Sequence, residues 1–340
     1  MLNWMDFQYA NVFEKVMEDI QENYSYVKFK KYSPDKILKK YADDFRKIDD
    51  EAQCIGKLAK VLGLFEDPHI NVTYINNEGK KTFIKTLTKN PPSNYDYRLL
   101  FRKYFSDKII IENEVGLIGI IRDIVYINIF TWWSQKEKEI NTIMKEFKRI
   151  VSKKGSKKVI VDIRSNNGGS DLLSGKFLSL FIPKNKKLYI SKYLHRLCKN
   201  NPDKTGRTWK RYQSSDIQPI NANVAVLIGQ HCMSSNEYLV MGFEALSDYF
   251  QKNNYTHRIH LIGDRTFGAS GNPKEFSYLS GRLKIGIPSW ICYTSRGELL
   301  EGKGIEPHIH INSKKAIFRG HDKVIEKAVE ILSNSTFVTN

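Results

Sequence analysis

Cysteine is scarce and dispersed. Cys54, Cys198, Cys232 and Cys292 stand far apart in a chain of 340 residues, with no Cys-x-x-Cys, which excludes a dense disulfide framework and a thiolate zinc cluster. The histidines do not fill that gap: His257 with His260, and His308 with His310, have no third ligand or carboxylate at a metal-site spacing. No glycine-rich phosphate loop is present either, so neither a metal nor a cofactor is expected. No stretch approaches the roughly 18 uninterrupted apolar residues of a membrane span. The start, Met1-Leu2-Asn3-Trp4-Met5-Asp6, lacks a basic region followed by an apolar run. As written the chain reads as cytoplasmic, or as exported if a leader has been removed. Repeats and low-complexity tracts are missing too, which excludes solenoid and propeller architectures.

Acidic residues are in deficit. Lys and Arg number 54 against 37 Asp and Glu, a net charge of +17, which raises nucleic acid as a partner. The lysines are spread out, however. Runs such as Lys28-Phe29-Lys30-Lys31, Lys153-Lys154-Gly155-Ser156-Lys157-Lys158 and Lys184-Asn185-Lys186-Lys187 fall near element ends, where solvated lysine is common. With no recognisable nucleic-acid module, acidic peptides or anionic surfaces fit this charge better.

What the chain does have is periodicity. Val12, Phe13, Val16, Met17 and Ile20 form one helical stripe. Ser33-Pro34-Asp35 opens a second helix buried through Ile37, Leu38, Tyr41 and Phe45, and a third runs from about Asp50 to Leu64. Residues 76–123 are broken by Pro91-Pro92 and carry short strand candidates, a small β element. From Ile124 strands and helices alternate: strand to Phe130, helix Glu137 to Val151, strand Lys158 to Ile163, helix Ser170 to Phe181, strand Asn223 to Gly229, helix Ser235 to Phe250, strand Arg258 to Gly263. Helical crossovers predict an α/β class with a mostly parallel sheet, whose chemistry belongs at the carboxyl ends of the strands. A further helix is expected from about Asp322 to Leu332. The division is an N-terminal helical subdomain over 1–75, the small β region over 76–123, and an α/β core over 124–340.

Two of those strand ends carry chemistry. Val224 to Gly229 leads into Cys232-Met233-Ser234-Ser235-Asn236-Glu237 and then a helix, which puts a serine where unpaired amide groups of a first helical turn can stabilise a developing negative charge. A helix cap is the plainer use of such a serine. Upstream, strand Val159 to Ile163 breaks into Arg164-Ser165-Asn166-Asn167-Gly168-Gly169, and paired glycines let the main chain approach a ligand. Cys232 is the rival nucleophile, but no neighbouring charge favours its thiolate.

Together these blocks resemble the tail-specific, or C-terminal-processing, serine peptidases, whose pattern runs Asp-Leu-Arg-x-Asn-x-Gly-Gly and then Ser-x-x-Glu. Ile262-Gly263-Asp264-Arg265-Thr266-Phe267-Gly268 is similar to the family's Gly-Glu-x-Thr-x-Gly, and Gly304-Ile305-Glu306-Pro307 to its Gly-Ile-x-Pro-Asp, with His308 in place of the aspartate. Asp67-Pro68-His69 resembles the Asp-x-His of the tricorn-like branch. The resemblance, over roughly Asn11 to Ile311, implies an α/β/α core of ClpP/crotonase type. Too few residues remain for the PDZ domain that many members carry.

It also implies a serine mechanism. Ser234 would be the nucleophile, with amide groups of Gly168 or Gly169 and of Ser235 as the oxyanion hole. The bacterial members place a lysine base after Thr-x-Gly, where this chain has Ala269, and the nearest lysines are Lys274 and Lys303. The tricorn-like branch uses a histidine oriented through a serine by a glutamate, which maps to His69 and Glu301. Pro68 replaces the bridging serine, so the bridge must differ, and Glu298 or Asp67 are the other carboxylates able to orient the ring. The implied partner is a peptide or protein substrate, cut through Ser-His(-Glu) chemistry near carboxy-terminal tails. The alternative is a non-catalytic relative that binds a peptide or apolar ligand in the same cleft.

Overall fold

The three N-terminal stripes form helices α1 (Gln8–Asn23), α2 (Pro34–Arg46) and α3 (Glu51–Leu62) in a computed structural model that describes residues 8–87, 90–105, 109–196 and 205–334. Their starts follow from local chemistry. The Ser33 side chain accepts the Lys36 amide with Pro34 in the first turn, and Asp50 accepts the Gln53 amide at 2.7 Å. Phe13 and Phe45 stack at 4.0 Å between centroids, joining α1 to α2.

Beyond them the chain forms β1 (Asn71–Ile75), β2 (Lys81–Lys85), α4 (Tyr97–Leu99, continuing as a π-helical turn to Phe105), β3 (Ile109–Asn113), β4 (Gly116–Ile121), β5 (Ile124–Ile129), α5 (Glu137–Lys154), β6 (Lys158–Asp162) and α6 (Asp171–Leu178). Next come β7 (Lys187–Arg196), β8 (Thr205–Ser214), β9 (Asn223–Ile228), α7 (Ser235–Lys252), β10 (Ile259–Gly263), β11 (Pro273–Tyr278), β12 (Leu283–Pro288) and β13 (Trp290–Thr294). The last are β14 (Ile309–His310), α8 (Ser313–Ala316), β15 (Ile317–Phe318), β16 (His321–Asp322) and α9 (Lys323–Asn334).

The elements sort into two compact units. The first holds the chain up to Asn90 together with 193–209 and 269–292; the second holds 91–192, 210–268 and 293 onward. In the first unit α1–α3 accompany an antiparallel sheet of order β11-β12-β1-β2, so the late hairpin β11–β12 returns to pair with β1. Residues 76–123, one segment in the sequence division, contribute β2 to this sheet and β3 and β4 to the other unit.

The second unit is built on a seven-stranded sheet of order β14-β10-β9-β6-β5-β4-β3. Strands β5, β6, β9, β10 and β14 run parallel, and β4 and β3 extend the edge antiparallel. β5 and β9 are buried along their whole length, as expected for strands covered on both faces. Helix α5 packs on β4 and β5, α7 on β10, and α9 on β6, β9 and β10. This is the α/β class with a largely parallel sheet that the alternation predicts, and no PDZ domain is present among the described residues. No described helix is long and apolar enough to cross a membrane. β7 and β8, which the periodicity leaves unassigned, pair with β13 in a three-stranded sheet. Cys198 and the tail 335–340 lie outside the described residues.

Candidate active site

β9 ends at Ile228, and the chain turns sharply through Gln230 to Met233 before α7 begins. Ser234 occupies the cap position of α7 with φ 59° and ψ −128°, and its side chain makes no capping bond to the helix. A non-glycine residue at that φ is strained, and such strain collects at functional turns. It holds the serine on a tight strand-to-helix elbow, half-buried, with the amide of Ser235 at the helix start. Ser235 itself is buried.

Gly168 faces this elbow. A Cβ there would sit 2.8 Å from the Ser234 Cβ, 2.9 Å from the Met233 carbonyl oxygen and 3.2 Å from the Ser235 nitrogen, and its φ is +110°, so glycine is required on both counts. The Gly168 amide donates to Asn166 Oδ1 at 2.9 Å. Gly169 forms a parallel bridge with Trp132, fixed by Trp132 N–H to the Gly168 carbonyl at 3.0 Å and Ser170 N–H to the Trp132 carbonyl at 2.7 Å.

The support comes from residues that the motif reading passes over. Asn236, fully buried, accepts from Trp132 Nε1 at 3.0 Å and donates to the carbonyls of Ile163 at 3.0 Å and Asn166 at 2.9 Å. One side chain thereby ties the first turn of α7 to the segment that carries both glycines and to Trp132, which bridges Gly169. No sequence motif marks this role, because only packing brings a partner to each group of a buried amide.

Glu237, the closing residue of Ser-x-x-Glu, is also buried. It accepts from Thr266 Oγ1 at 2.6 Å and from the Gly268 amide at 2.7 Å. Thr266 in turn accepts the Ile305 amide at 2.7 Å, and Gly302 N–H donates to the Gly268 carbonyl at 2.8 Å. A Cβ on Gly268 would meet the Gly304 nitrogen at 2.5 Å, so the two loops lie too close for a side chain between them. Glu301 sits buried at the head of this turn. The structure thus brings Ser234, Ser235, Gly168 and Gly169 together, and Gly302, the neighbour of Glu301, is bonded to the 266–268 loop that Glu237 holds.

His69 belongs to the first unit. It follows α3 and a 3₁₀ turn that ends with Glu66 in the left-handed conformation, φ 49°. Its amide donates to Asp67 Oδ1 at 2.8 Å, Asn71 Nδ2 donates to its carbonyl at 3.1 Å, and its Nδ1 lies 3.6 Å from Asp67 Oδ1. Asp67 is fully buried and also accepts the Tyr24 hydroxyl at 2.7 Å. Burial works to raise the Asp67 pKa, but the hydrogen bond and charge of His69 outweigh it and hold the carboxyl below its usual value.

The rivals fare poorly. Cys232 is buried, points its thiol at the Ile163 carbonyl at 3.1 Å, and has its pKa pushed well up by burial. Lys274 and Lys303 are exposed. Ala269 is buried.

A largely parallel α/β core that presents a serine on a strained elbow opposite paired glycines defines a serine-type hydrolase. The chain belongs to peptidase family S41, whose sequence pattern matches residues 123–311, over half of its 340 residues. It is a serine-type peptidase. Among solved structures it is similar to a protein of Parabacteroides merdae described as a candidate peptidase, with TM-score 0.78 and 20% identity over 98% of this chain and 99% of that one. Mature CPAF gives TM-score 0.66 at 12% identity over 99% of this chain and 100% of that one. The tricorn protease gives 0.53 at 14%, covering 97% of this chain and 37% of that one. At these identities the likeness is one of fold. Curated proteins give no match.

Proposed function

We propose that the chain hydrolyses peptide bonds of proteins or peptides by acylating Ser234, with His69 as the proton acceptor. The observation that carries this reading is the Ser234 elbow: a positive φ at the start of α7, pressed against Gly168 and beside the Ser235 amide. A serine hydroxyl needs a base as it attacks. His69 takes the proton while the carbonyl oxygen, now negative, is held by the amides of Ser235 and Gly169. Gly169 is the better second donor, because the Gly168 amide is already engaged by Asn166. The tetrahedral adduct collapses as His69 passes the proton to the leaving amine. Water then attacks the ester with the same group as base, restoring the free serine.

Asp67 is the carboxylate that supports the ring, being ionised, buried and 3.6 Å from Nδ1. Glu301, to which the resemblance assigns that role, is the alternative carboxylate. Cleavage near carboxy-terminal tails is the specificity to be tested first.

A serine-reactive fluorophosphonate should label Ser234, and mass spectrometry should place the adduct there. Ser234→Ala should abolish labelling and lower turnover by about 10⁴-fold or more without loss of folding, whereas Ser235→Ala should be mild. Adduct on Ser235 would move the nucleophile by one residue. A folded protein that takes no label and cleaves nothing in an unbiased peptide library would leave the alternative of a non-catalytic peptide binder.

A further inference from the structure

The carboxyl half of α5 carries more positive charge than the helix itself uses. Lys145, Lys148, Arg149, Lys153 and Lys154 stand against one carboxylate, Glu146. Lys153 and Lys154 lie in the last turn, where cations complement the helix dipole, and Arg149 is paired with Glu146, Nε to Oε2 at 2.6 Å. Lys145 and Lys148 serve neither purpose. With Lys176 of α6 they line a cavity of about 480 Å³ whose wall is completed by Ile217, in the segment before β9. The depth of this groove is apolar: Met144 and Leu180 are buried and Ile217 is half-buried. Lys176 Nζ donates to Asn141 Oδ1 at 3.1 Å, a neutral partner that leaves its charge uncompensated. Among the described residues none of these lysines has a carboxylate within ion-pairing distance. Scattered lysines on a helix are an ordinary solvated face, but these ring a recessed apolar hollow.

Two features choose the occupant. Three ammonium groups around one hollow match a ligand with several negative charges about an apolar group, which a run of Asp and Glu around Leu, Met or Phe supplies. A membrane surface is met instead by apolar groups that project outward, and here Met144 and Leu180 are sunk below the lysines. The groove also lies near the proposed nucleophile. A Cβ on Gly168 would stand 2.8 Å from the Ser234 Cβ, α6 begins at Asp171, and Lys176 follows five helical residues later, so it lies within about 25 Å of Ser234. About seven extended residues span that distance. We infer that this groove is a docking site for an acidic segment of the protein substrate, which seats an apolar side chain on Met144, Leu180 and Ile217 and presents its carboxylates to Lys145, Lys148 and Lys176. Calling the occupant a substrate rests on the reading of Ser234 as nucleophile.

Binding is measured with the full chain carrying Ser234→Ala, by fluorescence anisotropy of a labelled peptide in which leucine is flanked on each side by two glutamates. Lys148→Glu and Lys176→Glu should each weaken binding by about tenfold or more. Ile217→Ser, or serine in place of the peptide's leucine, should weaken it by about fivefold or more. Lys60→Glu, exposed on α3, should leave it within about twofold, since distant exposed charges are screened. An equal loss in Lys60→Glu would reduce the effect to net charge and overturn the inference, as would a peptide that binds equally well without its leucine. Binding of phosphatidylserine vesicles but not of the peptide, lost in Lys148→Glu, would overturn it in favour of a membrane surface. In the active protein, a peptide that is cleaved is then extended at either end by the acidic segment, about seven residues from the cut bond. One of the extensions should lower KM for wild type but not for Lys148→Glu, with kcat unchanged and the unextended peptide cut equally by both. A KM that neither extension lowers would overturn the docking role. Failure of wild type to cleave or to label at Ser234 would remove the peptidase reading, and the binding measurement tells that failure apart from this one.

Discussion

The Asp67–His69 pair makes the most direct prediction at the level of single residues. Only neutral imidazole can take the serine proton, so activity should be lost in acid, where the base is protonated. Asp67 stays ionised because its folded pKa is depressed. Asp67→Asn, which removes that charge beside the ring, should reduce kcat/KM. His69→Ala should cost orders of magnitude at every pH. Glu301→Gln serves as the comparison: a larger loss there than in Asp67→Asn would transfer the orienting role to Glu301. Full activity in His69→Ala, with inactivation by Lys274→Ala or Lys303→Ala, would return the chemistry to a serine–lysine pair. Ser234, the two glycines and Asp67 were legible in the sequence because each stands at a break between regular segments. Asn236 and Asn166 were not, since nothing in a lone asparagine states that its amide will be buried with every group bonded.

Among the elements, the parallel strands and their crossover helices declared themselves, because β5, β6 and β9 are apolar runs and α5 keeps a clean helical stripe. β7 and β8 did not. Lysines and arginines punctuate Lys187–Arg196 and Thr205–Ser214 and left both segments unassigned, although Trp209 stacks on Tyr193 at 5.4 Å between centroids. The π-helical turn at 100–105 was equally hidden, as its hydrogen bonding follows no common sequence period. The junction of α7 with the 266–268 loop yields the second prediction. Glu237 supplies the acceptor for Thr266 Oγ1 and the Gly268 amide, both buried. Glu237→Ala leaves two donors unpaired and should cost about 2–4 kcal/mol in chemical denaturation. Glu237→Gln, which keeps an acceptor oxygen, should cost less. If both variants are as stable as wild type, the Glu301 turn is not held through this residue.

For the molecule as a whole, the carboxy-terminal segment is bound to the sheet by two charged anchors, and each has its own signature. Arg164 is fully buried between Asp162, with Nη2 2.6 Å from Oδ2, and Asp322 at 2.9 Å, while Asp322 caps α9 by accepting the amides of Val324 and Ile325. Arg164→Met should destabilise by about 3–5 kcal/mol, since it strands two buried carboxylates, and hydrogen exchange should show α9 loosened first. The second anchor is Asp264, at the end of β10. Its carboxylate accepts the Ser313 amide at 2.8 Å, Gln230 Nε2 at 3.1 Å and the Arg265 amide at 2.9 Å, and His310 Nε2 lies 3.2 Å away. Burial works to raise its pKa, but these donors prevail and lower it from 3.8 to about 2. A carboxyl with a depressed folded pKa stabilises the fold fully above its unfolded value and loses that contribution as pH falls through the folded one. Asp264→Asn should therefore be less stable than wild type at pH 7. The gap should narrow as the pH drops from about 4 toward 2, where wild-type Asp264 also takes up its proton. Urea midpoints of the two proteins across that range measure the gap, and a gap that stays constant down to pH 2 would mean that Asp264 acts there through shape and not through charge.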